Sequence, residues 1–93
     1  MPPKYKPPST QDLADLKVAL SKSNPDMADL FGMSPDQWRK YTGGKEPRPV
    51  SLYMLFFAMA RLELDAESIE RVLERMRKVG AQIELSTTGE QEQ

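Results

Sequence analysis

The chain has 93 residues, 39% of them hydrophobic and 29% charged, with a formal net charge of −1, the size and composition of one small globular domain. It contains no cysteine and no histidine, which excludes disulfides and thiolate metal sites and removes the commonest general base and metal ligand. No apolar run approaches the ~18 residues that span a bilayer and the N-terminus lacks the apolar segment of a secretory signal, so a cytoplasmic chain with no enzymatic activity, cofactor, metal or membrane partner is expected.

Residues 1–10 read as an extended basic arm. Four of the eight prolines fall in 1–9, beside Lys4, Tyr5 and Lys6, and proline at this density prevents a helix. Such an arm either lies along a DNA groove or frays as a bare terminus. A first helix is expected over 11–22 with Thr10 as its cap. Leu13, Leu16, Ala19 and Leu20 form its apolar stripe, and Asp12, Asp15 and Lys22 complement its dipole.

The stretch 24–43 carries two more helix starts. Asn24 precedes Pro25 and Ser34 precedes Pro35. Each pair reads as a polar cap followed by a proline at the first helical position, where its missing N–H costs nothing. Gly32 stands between them, where the chain must stop one helix and turn. The expected elements are a second helix at about 25–31 and a third at about 35–41. Ala28 is small, as a close helix crossing requires. At 100° per residue, Trp38 and Tyr41 share one side of the third helix. Asp36, Arg39 and Lys40 lie on the other, flanked by Gln37 and Pro35. An ordinary helical hairpin with a solvated face shows the same pattern. The two capped helices and the basic loop that follows favour a groove-reading helix.

Met27-Ala28, Gly32, Met33, Ser34, Trp38 and Tyr41 together resemble the Cro/repressor (XRE-type) helix-turn-helix. The likeness runs through Gly44-Lys45 and Arg48-Pro49 to Leu62-Glu63-Leu64-Asp65, about residues 11–75. Two positions depart from that pattern. Trp38 is larger than the usual branched aliphatic, and Thr42 stands where a Glu is common. The resemblance implies duplex-DNA binding and transcriptional repression by a small autoregulator. An antitoxin of a toxin–antitoxin pair is the nearest alternative.

Residues 42–50 form a Gly/Pro loop from which Lys45 and Arg48 project. Arg39, Lys40, Lys45 and Arg48 against Glu46 leave a local charge of +3. That is what a phosphate senses within a Debye length of about 8 Å. Ser51 is the expected cap of a fourth helix, about 52–62. Its nine consecutive apolar residues, Leu52 to Ala60, exceed what one face can bury. Tyr53, Met54 and Phe57 are expected to be left over for a second copy or another protein. Leu64-Asp65 leads into a fifth helix, about 66–79, striped by Ile69, Val72, Leu73 and Met76 and ended by Gly80. Gln82-Ile83-Glu84-Leu85 alternates as a short strand does. Ile83 and Leu85 then pair with a copy across a two-fold axis or pack down as coil. The polar tail 86–93 is expected to be disordered.

The expectation is therefore an all-α, five-helix domain over 11–80, preceded by the arm 1–10 and followed by the segment 81–93. It binds double-stranded DNA as a homodimer on an inverted repeat. Ser34, Asp36, Gln37, Arg39 and Lys40 are the expected base-reading residues, and Asn24, Lys45, Arg48 and Ser51 the phosphate contacts. Tyr53, Met54, Phe57, Ile83 and Leu85 are the expected dimer contacts. The reading from a different class is a protein-interaction module that uses the apolar fourth helix.

Overall fold

A computed structural model describes residues 3–85. Residues 1–2 of the arm and the tail 86–93 lie outside the described residues. Five helices follow in order: α1 (Thr10–Leu20), α2 (Asn24–Leu30), α3 (Pro35–Thr42), α4 (Leu52–Glu63) and α5 (Ala66–Val79). The architecture is all-α. Of the two readings of 82–85, strand or coil, the structure shows coil, and no strand occurs among the described residues. A lone strand has no partner for its backbone groups in a helical chain. The Ile83 carbonyl instead accepts hydrogen bonds from Arg77 Nε and Nη2, at 3.2 and 3.0 Å. The chain divides into two compact units, Met1–Leu62 and Glu63–Gln93.

Helix starts follow local side-chain chemistry, with two corrections. α1 is capped by Ser9 rather than Thr10. The Ser9 hydroxyl accepts from the Asp12 N–H, and the Asp12 carboxylate accepts from the Ser9 N–H. These bonds hold the Asp12 carboxyl below its ordinary pKa. A cap at Thr10 would have Leu13 at the reciprocal position and close no such box. α2 is capped by Ser23 rather than Asn24, its hydroxyl accepting from the Asp26 N–H at 3.2 Å. Proline is tolerated anywhere in the first turn, where N–H groups lack intrahelical acceptors. Pro25 therefore does not decide which of two adjacent polar residues caps. Ser34, Ser51 and Asp65 cap α3, α4 and α5. The arm is pinned, because the Tyr5 hydroxyl donates to the Val50 carbonyl at 2.7 Å.

The core of the first unit is built from Leu13, Met27, Ala28, Leu30, Phe31, Trp38, Val50 and Ala58. Met54, Leu55 and Met59 of α4 pack against it. α4 also fixes the turn between α2 and α3. Gly32 adopts φ +73°, and a Cβ there would meet Phe57 Cε2 at 3.1 Å. One turn further along α4, Arg61 Nη1 donates to the carbonyls of Asp29 and Leu30, at 2.6 and 3.0 Å. Its guanidinium lies 5.3 Å from the Phe57 ring centroid. The C-terminal carbonyls of α2, which no residue of α2 can satisfy, are thereby closed by a largely buried cation.

Arg61→Met keeps the aliphatic stem and removes these donors. It should lower stability by about 1.5–3 kcal/mol, the range for hydrogen bonds to a charged group, seen as a lower urea midpoint at unchanged slope. An unshifted midpoint would show that Arg61 does not hold the turn.

Candidate nucleic-acid interface

α3 is oriented by its single buried residue. Trp38 is 1% exposed, and its ring centroid lies 4.9 Å from that of Phe31 at an interplanar angle of 34°. With Trp38 inward, Asp36, Gln37, Arg39 and Lys40 are exposed and Tyr41 is half-buried. The first turn is locked by a capping box. The Ser34 hydroxyl accepts from the Gln37 N–H at 3.2 Å, and Gln37 Oε1 accepts from the Ser34 N–H at 3.3 Å. Both side chains keep a donor: the Ser34 hydroxyl hydrogen and the Gln37 Nε2 amide.

The loop after α3 is folded back on it. The Gly43 N–H donates to the Arg39 carbonyl at 3.0 Å, and the Arg48 N–H to the Lys40 carbonyl at 2.8 Å. These two bonds close the excursion 40–48 at the C-terminus of α3, with Gly44 at φ +86° making the reversal. The result is a shallow concavity lined by Asn24, Asp36, Arg39, Lys40, Lys45, Glu46 and Arg48. Four cations face two carboxylates there, a surplus of two positive charges on a chain whose net charge is −1.

Most of the expected contacts meet in this one place. Asn24, Asp36, Arg39, Lys40, Lys45 and Arg48 share the concavity, and Gln37 lines a neighbouring one with Lys40, Arg48 and Tyr41. Ser34 and Ser51 do not line either, and the Ser51 hydroxyl accepts from the Met54 N–H at 3.1 Å. Asp36 and Arg39 form an ion pair on the helix surface, both side chains well exposed. Such a pair is worth little to stability, but it holds the guanidinium over the first turn until another anion competes.

The expected dimer contacts are distributed differently. Met54 packs on the core and Phe57 on Gly32, while Tyr53 is 80% exposed and Phe56 72%. The bare aromatic pair of α4 is thus Tyr53 and Phe56. Ile83 and Leu85 are half-buried coil. Phe56 and Arg61 were not anticipated as functional or structural contacts. A run of nine apolar residues has no polar side to announce which face turns outward, and Arg61 satisfies carbonyls some thirty residues away. Among the described residues no helix is long and apolar enough to cross a membrane.

Compared with family models, curated proteins and solved structures, the chain matches none. What this surface can do follows from its own residues.

Asp36 is the carboxylate paired with Arg39, so it competes with any polyanion for that guanidinium. Asp36→Asn should free Arg39 and steepen the salt dependence of binding to a non-specific duplex by about one unit of slope. An unchanged slope would mean that Arg39 gains no phosphate contact when its partner is removed.

Proposed function

We propose that the protein is a sequence-specific, duplex-DNA-binding transcriptional repressor of the cytoplasm that acts as a homodimer on an inverted repeat. One observation carries this reading: the outward residues of α3 and the basic loop 43–49, tied to each other through the Lys40 carbonyl, line a single concavity with surplus positive charge. An exposed helix flanked by a fixed cationic loop is suited to entering a major groove while the loop meets the phosphates. The spacing from Met27-Ala28 through Gly32 to Trp38 and Tyr41, which resembles the Cro/repressor motif, supports the same assignment.

The roles divide by position. Arg39 and Lys40 project from the helix, and a guanidinium can donate to guanine O6 and N7 together. Reaching a base requires Arg39 to leave Asp36, and because that ion pair is well exposed it contributes little that must be given up. Gln37 and Ser34 donate at the groove edge. Asp36, once released, can accept from cytosine N4. Lys45 and Arg48, on the loop, have phosphate oxygens as their nearer target, and Asn24 approaches the same strand from the start of α2.

An eight-residue helix meets too few base pairs to specify a site alone, and two-fold repetition places a second reader one turn away, about 34 Å. The Tyr53–Phe56 pair supports self-association through α4, since exposed aromatics of this size are enriched where interfaces form. The same pair favours a second reading, in which α4 captures a different protein, as in an antitoxin.

The test begins with a duplex recovered from a random pool by binding. On it, Arg39→Ala should cost about 1–3 kcal/mol and relax one base preference, with little effect on a scrambled duplex. Lys45→Ala should weaken both duplexes alike and flatten the salt slope by about one. Sedimentation should give twice the 10.6 kDa chain mass, reverting to one chain in Phe56→Glu. Recovery of no preferred duplex would overturn the repressor reading. A monomer both free and on DNA would overturn the dimer.

A further inference from the structure

We propose that one flank of α5 is a docking groove for an acidic amphipathic helix of another protein. This goes beyond DNA recognition and does not depend on it, since every residue involved belongs to the second compact unit, Glu63–Gln93.

At 100° per residue, Arg71, Arg75 and Lys78 fall in one row and Val72, Met76 and Val79 in the next. Glu70, Glu74 and Arg77 fall on the opposite flank. That opposite flank is internally settled: Arg77 Nη1 donates to Glu70 at 2.7 Å and Glu74 at 3.1 Å, while its other nitrogens hold the Ile83 carbonyl. The two carboxylates keep the guanidinium protonated above its ordinary pKa. The cationic row has no such partners. Among the described residues Arg71, Arg75 and Lys78 make no ion pair, and Arg71 donates only to the Ser68 hydroxyl, at 3.1 Å.

Beside this row the apolar one is left in water. Val72 is 50% exposed, Met76 40% and Val79 85%. An open groove of about 660 Å³ runs along the cationic row, lined by Leu64, Ser68, Arg71, Val72, Arg75 and Lys78; Val72 is the member of the apolar row that reaches it, with Met76 and Val79 exposed beside it. Glu74 also reaches it, but its carboxylate is paired with Arg77. An apolar stripe bordered by unpaired cations fits a helix whose apolar anchors recur at i, i+3, i+4 and i+7 and whose flank is acidic.

Charge and apolar exposure argue against two other occupants. An antiparallel two-fold pairing of α5 with its copy would set each cationic row against itself. A parallel pairing would set it against the Ile69–Leu73 side, which offers no carboxylate. Phosphates of a nucleic acid would satisfy the cations but leave Val72, Met76 and Val79 in water.

The test uses the full chain and three fluorescein-labelled synthetic peptides, followed by polarisation. The first has leucines at helical spacing and glutamates elsewhere, the second has the same composition in permuted order, and the third has lysines for glutamates. The wild-type protein should bind the first at least about tenfold more tightly than either control. Arg71→Glu with Arg75→Glu should reverse the preference toward the lysine peptide, a gain that a misfolded variant cannot produce. Val72→Asp, with helicity checked by circular dichroism, should lose both amphipathic peptides. Equal binding of ordered and permuted peptides would overturn the groove, as would failure of the charge reversal. Displacement of the glutamate peptide by duplex DNA would assign the row to nucleic acid instead. Conversion of a dimer to a monomer by Val72→Asp would assign it to a second copy.

Discussion

The burial of Trp38 is the constraint from which the candidate interface follows. Its ring fills the space beneath α3 against Phe31, and once that face is inward the rotation of the helix is fixed. Arg39, Lys40, Asp36 and Gln37 then point away from the core. The choice of Trp carries a cost, because its Nε1–H is buried without a partner among the described residues. Such an orphaned donor costs about 1–3 kcal/mol. The aromatic contact with Phe31 returns about 0.5–1.5 kcal/mol beyond area burial, and the large apolar surface returns more. Ala28 and Ala58 belong to the same buried cluster and are fully buried.

The second constraint is on the turn before α3. Gly32 accepts a positive φ with Phe57 pressed against it, and Arg61 closes the carbonyls at the end of α2. α4 therefore does more than add apolar mass to the core. It holds the angle at which α3 leaves α2, while the Arg48 N–H to Lys40 carbonyl bond holds the loop at the other end. Rigid support at both ends is what keeps a short helix and a cationic loop in register with each other. The surplus charge of this surface is small, since Asp36 and Glu46 lie among the four cations. In the proposed function, non-specific affinity is correspondingly modest, and discrimination comes from base contacts repeated across a two-fold axis.

Features written in neighbouring residues were legible in the sequence. Five helices, the Ser34–Pro35 start, the Gly32 turn, the Asp65 start of α5 and the Gly80 stop each depend on side chains within a turn of the backbone they control. The inward Trp38 and the outward Arg39 and Lys40 followed from the 3.6-residue period alone. Choices between adjacent candidates were not legible. Ser9 displaced Thr10 because only Ser9 has an acid three residues on, and between Ser23 and Asn24 the choice was hidden because proline does not discriminate within the first turn. Long-range features were hidden for a different reason. Tyr5 to Val50, Arg61 to α2 and the outward turn of Phe56 are decided by how elements pack. A uniformly apolar α4 has no pattern from which that can be read. The alternation at 82–85 was a strand signal with nothing to pair with, and the Arg77 side chain claimed the Ile83 carbonyl instead.

The proposed function makes the exposed side of α3 and the loop 43–49 one surface for duplex DNA. It is tested most directly by following the backbone amide resonances of the full chain as a duplex recovered by selection is added. The largest shifts should fall between Ser34 and Arg48 and shrink together as salt is raised, with the amides of α5 unmoved. Shifts confined to α5, or an interface along Tyr53 and Phe56 with residues 34–48 unperturbed, would contradict it.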